Sequence, residues 1–155
     1  MSSNDKGIQG HTLSLALRRA YLALHRETDN ALVQIGMTAN QFVLMAALAE
    51  SDTVTQQELA HRTDSDANTV RAMLVLLERK GWIIRAANPS DLRARTVTLT
   101  SDGEKALEEA WRQSGPIRQS LSIELGPKNA AEIVRLLAIV RGVLSRSPSA
   151  GSDGE

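Results

Sequence analysis

Hydrophobic positions along this chain recur at two periods. From His11 to Ile35, apolar residues return at Leu13, Leu17, Ala20, Tyr21, Leu24, Ala31, Leu32 and Ile35, the spacing of one helix face over roughly 36 Å. Gly36 closes that helix, and Thr38 with Gln41 forms a capping box for the next one, which runs through Glu50. Its FVLMAALA stretch is apolar on all sides, which requires burial on several faces. Thr55 and Glu58 form a second capping box before a short helix containing Leu59 and Ala60. After a brief irregular connection, Asp66 caps a helix running through Lys80, with Val70, Met73, Leu74 and Leu77 as its buried stripe and Gly81 as its stop. The period then changes. WIIRA and RTVTLT are rich in β-branched residues and flank a turn containing Asn88, Pro89, Ser90 and Asp91, which predicts a β-hairpin with a long polar tip. Ser101 and Glu104 form a third capping box, opening a helix that the Gly115-Pro116 pair kinks or interrupts. A last helix follows Gly126-Pro127, its wide apolar face made by Ile133, Val134, Leu136, Leu137, Val140 and Leu144.

The pattern is mainly α with one small β-hairpin. It divides the chain into a central lobe at 37–100, helical flanks at 11–36 and 101–146, and polar, breaker-rich ends at 1–10 and 147–155 that are predicted to be disordered. The apolar stripes of the first and last helices have no counterpart within the central lobe. A second copy of the chain is therefore expected to cover them, making the flanks a dimerisation region.

Composition narrows the chemistry. The chain has no cysteine, which removes disulfides, thiolate metal sites, thiol nucleophiles and thiol redox sensing, and places the protein in a reducing, cytoplasmic setting. The longest uninterrupted apolar run, Phe42 to Ala49, is far short of a membrane span, and the polar N-terminus lacks a leader-like apolar segment. Tyr21, Phe42, Trp82 and Trp111 are the only aromatics, too few for a base-stacking platform. His11, His25 and His61 lie in separate segments without H-x-x-x-H spacing, and neither a Gly-rich phosphate loop nor a nucleophile elbow occurs. Asp64 and Asp66 near His61 could suggest a metal cluster, yet Asp66 is better explained as a helix cap. No catalytic residue, metal ligand or cofactor is assigned, and the chain is not expected to be an enzyme.

A binding function has stronger support. Charge is balanced at 18 basic and 18 acidic residues, but residues 53–100 hold 7 basic against 5 acidic. That segment reads as two short helices joined by a tight connection and followed at once by a hairpin, the order of a winged helix-turn-helix. In this motif the second helix enters the major groove. With Val70 at the centre of its buried face, Asn68, Ala72, Val75 and Arg79 point the opposite way, flanked by Thr69 and Arg71. Asn pairs with adenine, Arg with guanine, and Thr, Ala or Val meets the thymine methyl. Thr55 and Gln56, opening the preceding helix, complete the candidate DNA contacts of the two helices. On the hairpin, Arg93 is placed in the adjacent minor groove, where narrow-groove potential attracts guanidinium, and Asp91 is suited to fix it by a charge-assisted bond. Arg95 either steadies the hairpin or meets phosphate. The competing reading keeps the winged fold as a protein-interaction module without DNA binding.

The run from Val54 to Thr100 resembles the DNA-binding half of the MarR family of bacterial transcription regulators. Thr69-Val70, LLERKGWI and the wing residues Asp91, Arg93, Val97, Leu99 and Thr100 match the family pattern in order, and TSDGE fits the junction after the wing. Asn88 departs from the Asp usual before the proline, and Arg71 stands where a small hydroxyl residue is usual, which implies an altered operator preference. The resemblance implies a homodimer with interleaved N- and C-terminal helices and two winged lobes set on double-stranded DNA. It also implies a repressor released by a small aromatic or anionic effector bound between the dimer helices and the lobe. Arg85, matching a family arginine near that junction, is the candidate effector ligand, and the absence of cysteine excludes the thiol-switched branch.

Overall fold

Thr38 and Gln41 close the predicted capping box from both sides: the Thr38 hydroxyl accepts the Gln41 N–H, and the Gln41 amide oxygen accepts the Thr38 N–H, each at 3.2 Å. This pair opens α2 (Ala39–Ala49), the most buried helix among the described residues. The computed structural model describes residues 3–51, 53–88 and 90–146, with the backbone alone at 3–8 and 91–94. Before α2 come α1 (Ser3–Leu32) and a single 3-10 turn at Val33–Ile35, closed by Gly36 in the left-handed conformation (φ 71°). After it come β1 (Val54–Thr55), α3 (Gln56–Arg62), α4 (Ala67–Arg79), β2 (Ile83–Asn88), β3 (Asp91–Leu99), α5 (Ser101–Gln113) and α6 (Gly115–Leu144).

The core follows from the stripes. Leu44, Met45 and Leu48 of α2 meet Leu59 of α3, Val70, Leu74 and Leu77 of α4, Ile83 and Val97 of the hairpin, and Leu107 and Ala110 of α5. Apart from Leu107, each of these is at most 2 % exposed. At about 25 cal/mol per Å² of apolar surface removed from water, this cluster is the main force holding helices to hairpin. Phe42 adds an edge-on contact to Trp111, ring centres 4.8 Å apart, where α2 meets α5.

Four sequence expectations change. The first helix begins at Ser3 rather than His11, so residues 3–10, expected to be disordered, are helical; the expected disordered tail at 147–155 lies outside the described residues. The sheet has a third strand: β1 pairs antiparallel with β3 through Val54↔Val97, giving the order β1-β3-β2. Two residues are too few for a periodic signal, and Thr55 is also the cap of α3. The hairpin tip is tighter than expected, because Asn88 pairs with Asp91 and the Asn88 side chain accepts the Ser90 N–H at 2.9 Å. The register then steps from Asn88↔Asp91 to Ala87↔Arg95, leaving residues 92–94 of β3 as a bulge. Finally, α5 is capped by Thr100 instead of Ser101. The Thr100 hydroxyl accepts the Gly103 N–H at 3.0 Å and donates to the Gly81 carbonyl, satisfying two backbone groups that Ser101, one residue into the helix, does not reach.

The chain divides into a unit ending at Gly115 and another beginning at Pro116. In the second unit α6 breaks at Gly126 (φ 68°, ψ 163°), directly before Pro127, as the Gly-Pro pair predicts. No described residue of α6 is buried.

Candidate nucleic-acid interface

The first turn of α4 is set by Asp66. One carboxylate oxygen accepts the N–H of Asn68 (3.0 Å) and of Thr69 (2.9 Å), satisfying two of the helix's free donors. The other accepts the Thr69 hydroxyl at 2.5 Å. That hydroxyl, with the backbone bond to Thr69 next in weight, holds the Asp66 carboxyl below its ordinary 3.8. The carboxylate is ionised at neutral pH and also complements the positive end of the helix dipole.

Beyond this cap, α4 presents Asn68, Thr69, Arg71, Ala72 and Arg79 to solvent, while Val70, Leu74 and Leu77 are fully enclosed. The predicted outward face therefore exists, with one adjustment. Val75 is half-buried and Leu76 is 46 % exposed, so the apolar residue offered beside this face is Leu76 rather than Val75. Thr55 caps α3 by accepting the Glu58 N–H at 3.1 Å, and Gln56 begins that helix; both are half-buried. Arg62 bonds Glu58 (2.9 Å) and the Ser51 hydroxyl (3.0 Å), tying α3 to the segment after α2.

The wing is attached to α4 by a charge pair. Arg85 of β2 donates to Glu78 of α4 through Nε at 3.0 Å and also through Nη2, and its side chain is only 15 % exposed. The Arg85 hydrogen bond holds the Glu78 carboxyl below its ordinary 4.5, with the nearby charge of Arg95 adding to the effect. Arg95 itself is exposed. At the end of α4, Lys80 donates to the Gly36 carbonyl and to the Gln41 amide oxygen (3.3 Å) and sits 4.5 Å above the Trp82 ring. Burial there pushes the Lys80 ammonium below its usual range. Glu78 and Lys80 are thus braces that hold helix, wing and α2 in register. Sequence spacing gave no signal for either, because their partners lie across tertiary contacts. The side chains of Asp91 and Arg93 lie outside the described residues; the backbone places Arg93 in the bulge of β3.

An open pocket of about 510 Å³ lies where α2, β3 and α5 meet. Leu48, Leu99, Leu107 and Trp111 form its apolar wall, and Glu104 and Glu108 supply carboxylates. Arg85 is not among its lining residues.

A helix with a polar, exposed first turn, braced to a two-stranded wing, is the architecture of DNA-binding winged helix-turn-helix regulators of transcription. The MarR family profile matches residues 37–94. The multiple antibiotic resistance protein MarR of Salmonella typhimurium is 32% identical over 113 residues, covering 72% of this chain and 78% of that protein. A mutant MarR of E. coli complexed with operator DNA superposes with a TM-score of 0.78 at 27% identity, over 83% of this chain and 93% of its own. BpsR of Bordetella bronchiseptica, whose structure concerns regulation of DNA binding by 6-hydroxynicotinic acid, gives 0.76 at 30% identity, over 83% and 91%. The chain belongs to the MarR family of transcriptional regulators, and its named relatives are regulators rather than enzymes. Among the described residues, no single helix is long and apolar enough to cross a membrane.

Proposed function

We propose that the protein is a cytoplasmic, homodimeric repressor that binds a pseudo-palindromic operator and leaves it when a small molecule binds. The observation that carries this reading is the exposed row Asn68, Thr69, Arg71 and Ala72 at the start of α4, held to a wing whose bulge contains Arg93. Asn68, Thr69 and Arg71 supply base-edge hydrogen bonds, Ala72 adds a small-residue contact, and Arg79 and Arg95 reach phosphate. Gln56 and Thr55, at the start of α3, face the flanking backbone. Arg93 enters the minor groove with Asp91 orienting it.

Dimerisation is supported by apolar surface that a lone chain leaves in water. Leu13, Tyr21, Leu22 and Leu24 of α1 are exposed, as are Ile133, Val134, Leu136, Leu137, Val143 and Leu144 of α6. Two-fold symmetry then sets half-sites one helical turn, about 34–36 Å, apart.

The effector remains an organic molecule of modest size, as 6-hydroxynicotinic acid is for BpsR. Two places compete for it. An anion at Arg85 must displace Glu78, whereas the pocket at Trp111 offers room but presents carboxylates. The pocket therefore suits a neutral or cationic aromatic, and Arg85 suits an anion that unlatches the wing from α4. Either ligand acts by favouring a dimer whose lobes are wrongly spaced for DNA.

Selection of bound duplexes from a random pool tests the reading. An inverted repeat with half-sites one turn apart is the expected product. A chain that stays monomeric at micromolar concentration, or that binds no duplex in low salt, overturns it.

A further inference from the structure

We propose that Thr69 reads its base strictly as a hydrogen-bond acceptor, selecting adenine or cytosine in the major groove, because Asp66 takes its only hydroxyl proton. The inference rests on the DNA-reading assignment of α4 given above.

A threonine hydroxyl has one proton and two lone pairs, and on an unencumbered helix it rotates to donate or accept as the base requires. Thr69 lacks that freedom. Its Oγ1 lies 2.5 Å from one oxygen of Asp66, whose other oxygen is fixed by the N–H groups of Asn68 and Thr69. An ionised carboxylate only accepts, so the proton belongs to Thr69 and points at Asp66. The depressed Asp66 carboxyl is consistent with that direction. Thr69 is nonetheless exposed, so its oxygen meets any further partner only through a lone pair.

In the major groove, adenine N6 and cytosine N4 carry exocyclic amines that complement such an acceptor. Guanine O6 and N7 and thymine O4 are acceptors themselves and are set against it. The choice of base at this position is then made by Asp66, a positioning residue that need not touch DNA, through the direction of one hydrogen bond.

Asp66→Asn separates this from a capping role. Asparagine caps helices as well as aspartate, and its amide oxygen still accepts the two N–H groups. Its amide nitrogen, however, donates to Thr69, which frees the hydroxyl proton to point outward. Operator selection is performed with the full-length wild-type chain, with Asp66→Asn and with Thr69→Val, followed by competition among four duplexes differing only at the affected base. Wild type is expected to favour adenine or cytosine there by roughly three- to tenfold, the size of one net hydrogen bond. Asp66→Asn should favour guanine or thymine instead, and Thr69→Val should lose the discrimination while keeping the other positions. If both variants recover the wild-type base at every position, or if Asp66→Asn merely changes affinity equally for all four duplexes, the inference falls and the DNA-binding assignment stands. If wild type recovers no site at all, the assignment itself falls.

Discussion

A Cβ atom built on Gly103 falls 1.9 Å from the carbonyl oxygen of Trp82 and 2.8 Å from its carbonyl carbon. That carbonyl accepts the Thr100 N–H at 3.0 Å, and Thr100 in turn caps α5 on the Gly103 N–H, so the α4–β2 connection, the end of β3 and the start of α5 converge on one glycine. The obstacle is backbone, which cannot rotate aside. Gly103→Ala should destabilise the protein by about 1–3 kcal/mol or more, the usual size of overpacking. A urea midpoint equal to that of the wild type, with an unchanged slope, would show that the junction yields.

The glycine appears in the sequence only as part of TSDGE, and the reason for it is tertiary. This marks the division between what was legible and what was not. Capping boxes and stripes are local, so the Thr38 box, the Asp66 cap and the enclosed face of α4 could be read directly from spacing. Contacts between elements carry no spacing rule. Glu78 finds Arg85 on the strand that follows its helix, Lys80 finds Gly36 from 44 residues away, and β1 is two residues that matter only because β3 lies beside them. The outward face of α4 was legible to within one position: ideal angles placed Val75 outside, whereas packing half-buries Val75 and exposes Leu76.

The Glu78–Arg85 pair makes stability depend on pH. Because the folded carboxyl lies below its ordinary 4.5, its contribution is complete above that value and is lost as pH falls through the lower, folded value. Glu78→Gln removes this dependence and leaves Arg85, at 15 % exposure, without its counter-charge. The variant should be less stable than wild type at neutral pH, with the difference shrinking as pH drops below about 4.5. Urea midpoints measured across that range check the claim; a gap that stays constant with pH would assign the loss to packing alone.

Arg93 stands in the bulge of β3, a feature that bends a strand and re-aims the residues it carries. If its guanidinium enters the minor groove, Arg93→Ala removes one cation from the interface. Operator affinity should fall, and the slope of log affinity against log salt should flatten by about 1. The thermal midpoint should be unchanged, since the wing is held to α4 by Arg85. Affinity lost with no change in salt slope would point to a distorted wing rather than a lost phosphate or groove contact.

α6 buries none of its residues within a single chain. Ile133, Leu137 and Leu144 recur at helical spacing along α6, and all are at least 40 % exposed. Glutamate at the middle position adds a charge that a solvated face accepts without cost, but that an apolar interface cannot take without desolvating it. Leu137→Glu should therefore leave the helical content of an isolated chain nearly unchanged while converting a dimer to monomers at micromolar concentration, as read by sedimentation. Wild-type thermal stability should rise with protein concentration, and that dependence should vanish in the variant. Operator binding should weaken far more than through any single lost base contact, because two linked half-site contacts become independent. A variant that sediments as wild type and holds its operator equally well would mean that this stripe does not form the dimer interface.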